Sequence, residues 1–112
     1  MRHDRWALAP DELTLLGKIV TRFPGLASAV HAQVTRLIQT MRSEGRLARE
    51  TELDEFLGKV VDEVVARTRQ HRRKPPAELD EATDSMVLLL ARNSVARARP
   101  RLLEDLRRPN AK

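Results

Sequence analysis

The chain predicts an all-α protein, a compact bundle of four to five antiparallel helices with no β-sheet. Apolar residues recur at helical spacing in every long segment, proline and glycine mark the borders between segments, and nowhere does the two-residue period of a strand occur. At 112 residues there is room for one domain and not for two ordinary ones. That domain is expected to span 1–112, with 1–9 and 108–112 as flexible tails.

The elements follow in order. Pro10 suits the first turn of a helix, and Asp11 and Glu12 place negative charge at its positive dipole end. Leu13, Leu16, Ile19, Val20 and Phe23 form its stripe, and Phe23-Pro24-Gly25 ends it. A second helix carries Leu26, Val30, Val34, Leu37, Ile38 and Met41 and should stop near Gly45, a suitable residue for the position after a helix end. Thr51 with Asp54 resembles a capping box for a third helix, whose stripe is Leu53, Phe56, Leu57, Val60, Val61, Val64 and Val65. Lys74-Pro75-Pro76 ends that helix and Pro76 opens a fourth, striped by Leu79, Ala82, Met86, Val87 and Leu90. Arg99-Pro100 breaks again, before a short fifth helix with Leu102, Leu103 and Leu106. Gly17 and Gly58 fall inside helices at a cost of ~1 kcal/mol each, which close helix–helix approach would explain.

Composition excludes several kinds of function. Without cysteine there are no disulfides, thiolate metal sites or cysteine nucleophiles. One tryptophan, two phenylalanines and no tyrosine rule out a surface of several stacked aromatics. The longest apolar run, Met86 to Ala91, falls far short of the ~20 residues a membrane span needs. The N-terminus carries no signal-peptide pattern. A soluble, cytoplasmic protein is expected.

Twenty-one bases oppose 16 acids for a net charge of +5, and 17 of the bases are arginine. They are segregated along the chain. Arg67, Arg69, Arg72, Arg73 and Lys74 accompany His71 without an acid, and six arginines between Arg92 and Arg108 face only Glu104 and Asp105. Leu13 to Ser43 carries Lys18, Arg22, Arg36 and Arg42 and no acid, whereas Glu44 to Glu63 holds seven acids and three bases. Bases belong at helix C-termini because of the dipole. One or two would satisfy it, yet the third helix ends in five, after its stripe stops at Thr68, His71 and Arg72. Spaced around the axis, they resemble a charged peg. Phosphate recognition would suit arginine's bidentate fork, and a solvated helix end is the plainer alternative. A high-GC genome would account for the arginine excess equally well.

A second feature is Met86-Val87-Leu88-Leu89-Leu90-Ala91, which leaves that helix no polar face. Leu88 points away from the stripe, with Arg92 and Arg99 on nearly the same side. Either this helix is the central element, or its far side, Leu88 and Leu89, binds a partner.

Catalytic constellations are absent. His3, His31 and His71 form no ligand pair, the four glycines form no phosphate loop, and Ser28, Ser43, Ser85 and Ser94 lack a nucleophile motif. Glu52/Asp54/Glu55 and Asp62/Glu63 read as solvated helix faces. No enzyme, catalytic residue, cofactor or metal is expected. A helix-turn-helix around Gly45 would put Thr51-Glu52-Leu53-Asp54-Glu55 at the start of its recognition helix, acids where base edges and phosphates should lie. Trp6 could stack on a base, but a hydrophobic plug against the first helix suits it better.

The expected function is a non-enzymatic helical subunit that binds nucleic-acid backbone, RNA or single-stranded DNA, without reading sequence. Arg67, Arg69, Arg72, Arg73, Lys74, Arg92, Arg97, Arg99 and Arg101 are the candidate phosphate contacts. Leu88 and Leu89 are the candidate contacts to other protein subunits or further copies of the chain. In size, helicity, basic balance and lack of an active site the chain resembles the small subunits of multi-subunit CRISPR effector complexes. That resemblance implies a place in a ribonucleoprotein of antiviral defence. The alternative is a protein–protein module, an adaptor or inhibitor whose basic surface meets an acidic partner.

Overall fold

Each helix begins and ends for a local reason. The computed structural model describes residues 6–70 and 84–108. Among them are four α-helices, α1 (Pro10–Arg22), α2 (Pro24–Ser43), α3 (Leu53–Gln70) and α4 (Asp84–Arg107), with a 3₁₀ turn at Glu50–Glu52 and no strand. Pro10 opens α1, and Glu12 Oε1 accepts the N–H of Ala9 at 2.9 Å. This is half of a capping box, since Ala9 has no hydroxyl to return the bond. The break between α1 and α2 is a single residue. Phe23 (φ −127°, ψ 63°) is kept out of helical geometry by the proline that follows, and Pro24 itself starts α2.

At the end of α2 the chain turns through Gly45 (φ +78°). The Arg46 N–H donates to the Met41 carbonyl and the Gly45 N–H to that of Arg42, both at 3.0 Å, which is a complete Schellman motif. Thr51 does not cap α3. Glu52 reaches back instead, and its Oε1 accepts the N–H groups of Ala48 and Arg49 at 3.1 Å each. The longer glutamate side chain carries its charge back to two N–H groups that precede the 3₁₀ turn, and charge-assisted bonds of this kind are stronger than those to a neutral hydroxyl.

The hydrogen-bonded pairs fix the directions. His31 meets Ser94 and Arg42 meets Asp105, both separated by 63 residues, so α2 and α4 run parallel. Asp54 meets Arg99 and Glu50 meets Arg107, so α3 runs antiparallel to α4. Consecutive helices of the core are thus antiparallel, as short connections favour, and α2 and α4 form the parallel pair of an up-down-up trio. α1 lies against α2 and α4.

Burial follows the expected stripes on α2 and α3 closely. Leu53, Leu57, Val30, Val34, Val60 and Val64 are almost wholly enclosed. α3 stays in the core one turn longer than its hydrophobic pattern implies, because Thr68 is also buried. The chief departures are on α1 and α4. Only Leu16 and Ile19 of α1 are seated, while Leu13 (53%) and Val20 (43%) are exposed. Its apolar arc is wider than the seat it occupies.

α4 is the central element, touching α1, α2, α3 and the 3₁₀ turn. It passes through Pro100 without stopping, so the separate fifth helix does not exist. Pro100 removes one N–H, the partner of the Ala96 carbonyl. It lies on the exposed side, while Val95 and Leu102, buried on either side of it, hold the two halves in one line of packing. The expected start of the fourth helix around Pro76 lies outside the described residues.

Residues 6–9 do not behave as a tail. Trp6 is 5% exposed and Leu8 packs against the core. No helix among the described residues is long and apolar enough to cross a membrane. Close approach does not explain Gly17 either, since a Cβ there would meet nothing within 4 Å. Gly17→Ala should therefore raise stability by about 1 kcal/mol through helix propensity alone, measured as a higher midpoint in urea with unchanged slope.

Candidate nucleic-acid interface

The arginines of α4 divide into two sets according to the side they occupy. One set is bound to carboxylates of other elements. Arg92 Nη1 donates to Glu12 Oε2 of α1 at 2.9 Å, and Arg99 Nε donates to Asp54 Oδ1 of α3 at 2.9 Å. Arg107 Nη2 donates to Glu50 Oε2 at 2.8 Å, and Asp105 of α4 accepts from Arg42 of α2 at 3.5 Å. The helix is thereby tied to each of its neighbours at a different level. The Asp54 oxygen also accepts the indole N–H of Trp6 at 3.1 Å, so the N-terminal arm, α3 and α4 meet at one atom.

The other set faces solvent. Arg97, Arg101 and Arg108 are exposed and have no ion-pair partner among the described residues. Arg108 is one residue past the end of α4, but its N–H still donates to the Glu104 carbonyl at 3.0 Å, so the spacing of four and seven residues keeps all three on one side of the helix line. Glu104 is exposed on the same side, so the stripe carries three positive charges and one negative.

The cations expected to bind phosphate are distributed as follows. Arg97 and Arg101 lie on the stripe. Arg92 and Arg99 are half-buried in inter-helix ion pairs, and Arg67 is paired with Glu63 one turn earlier on α3, Nε to Oε2 at 2.9 Å. Arg92 and Arg99 join helices, Arg67 is paired within its own helix, and the charge of all three is already offset. The side chain of Arg69, and Arg72, Arg73 and Lys74, lie outside the described residues. Arg108, expected in a flexible tail, completes the stripe. Its register with Arg97 and Arg101 was readable in the chain but obscured by the expected break at Pro100.

Of the two leucines expected to meet a partner, Leu88 is 42% exposed and Leu89 is 6% exposed. Leu89 is therefore a core residue, as a helix with neighbours on several sides requires. Leu88 is not flanked by free arginine, because Arg92 and Arg99 are turned to Glu12 and Asp54.

The pole where α2 and α4 both end is rich in charge of both signs. Arg46 Nε lies 3.1 Å from Glu44 Oε1, beside the Arg42–Asp105 and Arg107–Glu50 pairs. Two parallel helices bring two negative dipole ends to this pole, and arginine in their last turns offsets them. Away from this pole, His31 Nδ1 lies 3.2 Å from the buried Ser94 Oγ. This couples α2 to α4, and among the described residues no carboxylate is hydrogen-bonded to the ring. Among the described residues, no three His, Asp or Glu side chains cluster to hold a metal ion.

The Ala9 N–H and then the Arg92 guanidinium hold the Glu12 carboxyl below the ordinary glutamate range. The N–H groups of Ala48 and Arg49 do the same for Glu52. Both ionise more readily folded than unfolded, so the stability they add is complete above that range and is lost as pH falls through it. Thermal midpoints should therefore fall as pH drops below about 5, through and beneath the ordinary glutamate range. Asp54→Ala should cost about 1–3 kcal/mol, since it strands a buried indole N–H and unties Arg99. Because Trp6 is the sole tryptophan, its emission should shift to the red in that variant under native conditions. Comparison of the chain with protein-family models, with curated proteins and with solved structures gives no match.

Proposed function

We propose that this protein is a non-enzymatic helical module that binds nucleic-acid backbone without reading sequence, as a subunit of a larger nucleoprotein assembly. The observation that supports this reading is the stripe of Arg97 and Arg101 on one side of α4 and Arg108 just past its end, three solvent-facing side chains with no ion-pair partner among the described residues. Guanidinium forks are suited to phosphate oxygens and stay charged at any physiological pH. Arg92 and Arg99, which join helices, and Arg67, which is paired with Glu63, are left out of this site. Arg69, Arg72, Arg73 and Lys74 would add to it if their segment lies on the same side. The likeness to small subunits of CRISPR effector complexes agrees in size, helicity and charge and remains part of the proposal.

A second reading, a protein–protein module, draws on four exposed large apolar residues, Leu13, Leu15, Val20 and Leu88. In that case Leu88→Glu would leave a folded monomer that no longer binds its protein partner, with its affinity for polyanions unchanged.

Fluorescence anisotropy with labelled oligonucleotides separates the two. Binding through the stripe should fall with salt at a log–log slope of about −2 to −3, as expected for three phosphates. Replacing Arg97, Arg101 and Arg108 together with alanine should abolish that dependence with helicity intact. Arg92→Ala should lower the thermal midpoint and leave binding unchanged. A triple variant that binds like the parent chain would refute the assignment.

A further inference from the structure

We infer that the Arg97–Arg101–Arg108 stripe takes a nucleic-acid duplex in preference to a single strand. This rests on the polyanion-binding reading above and adds the class of ligand. Sequence-tolerant binders of single strands rely on aromatic side chains on which successive bases stack. All three aromatic residues of this chain are already committed to the fold. Trp6 is 5% exposed with its N–H on Asp54, and Phe56 is 3% exposed. Phe23 is half-buried at the α1–α2 junction, with the Arg22 guanidinium 5.5 Å from its ring centre. None of them belongs to α4 or adjoins the stripe in sequence. A base turned toward it would meet Pro100, Glu104 and arginine side chains.

What the stripe offers is charge held in a line. At the helical rise, Arg97 and Arg108 are about 16 Å apart along the axis of α4. A duplex presents one phosphate charge per ~1.7 Å of its axis, against one per ~3.4 Å for either strand alone. A row of cations fixed on a helix therefore faces twice the charge density on a duplex. The duplex is also ordered in advance, whereas a flexible strand would lose conformational freedom to follow the row, with no stacking to compensate. Glu104 within the stripe disfavours insertion of this face among base edges, so contact along the backbone, independent of sequence, is the mode that fits.

The test uses the full chain and four probes at ~100 mM salt: 20-base-pair DNA and RNA duplexes of mixed sequence, and 20-residue oligo-dT and oligo-U. Both duplexes should bind at least about tenfold more tightly than either single strand, with salt slopes near −2.7 for the duplexes. The Arg97/Arg101/Arg108→Ala variant should reduce the duplex preference to less than about twofold. Single strands that bind as tightly as duplexes, through the same three arginines, would overturn this inference and leave the polyanion reading in place. Failure of all four probes to bind would overturn both.

Discussion

Everything in this fold is arranged around one helix that must be satisfied on several sides at once. α4 carries leucine, valine and alanine over more than half of its circumference in its first turns, and it finds neighbours for them in α1, α2 and α3. A helix so placed has little room for unpartnered charge along its flanks. Its arginines meet that constraint by reaching across to Glu12, Asp54 and Glu50, while Asp105 receives Arg42. Partly exposed pairs of this kind contribute modestly to stability one by one. Their larger effect is on register, because each guanidinium has one carboxylate at its own level and a slip of one turn would leave several unmatched.

The same constraint sorts the cationic residues. On the sides where α4 faces its neighbours, arginine becomes a cross-link; on the side that emerges, at Arg97, Arg101 and Arg108, arginine is left to solvent. Net charge alone cannot make this distinction. A chain with an excess of bases can have nearly neutral surfaces if its acids, though remote in sequence, fold back onto them. The acid-rich stretch from Glu44 to Glu63 does so here. Glu50 and Asp54 come from it, and both bind arginines of α4.

Most of the fold was legible from periodicity and punctuation. The stripes of α2 and α3, the start of α1 at Pro10 and the turn at Gly45 all depend on local chemistry, which sequence carries directly. Most of the misreadings have a tertiary origin, whereas the cap expected from Thr51 lost to a local competitor, Glu52. Pro100 reads as a terminator, but Val95 and Leu102 pack on either side of it and hold the helix together. Thr68 reads as the point where α3 leaves the core, yet a neighbour covers it. Leu13 and Val20 read as core, but a short helix lying on two others has a seat narrower than its own apolar arc. The candidate site was half legible. The spacing of Arg97, Arg101 and Arg108 is in the chain, whereas which arginines would be offset by acids 45 to 80 residues away is a property of packing.

The reach of those pairs bears on how the molecule is made. Glu12 and Arg92 are separated by 80 residues, and Trp6 and Asp54 by 48. During synthesis the first helix leaves the ribosome long before α4, one of the two helices that receive it, has been translated. Of its two partners α1 then has only α2 until the last quarter of the chain appears. A nascent chain released without α4 would keep α2 beside α1 and Asp54 beside Trp6, and would lack the Glu12–Arg92 tie that fixes the first helix at its level.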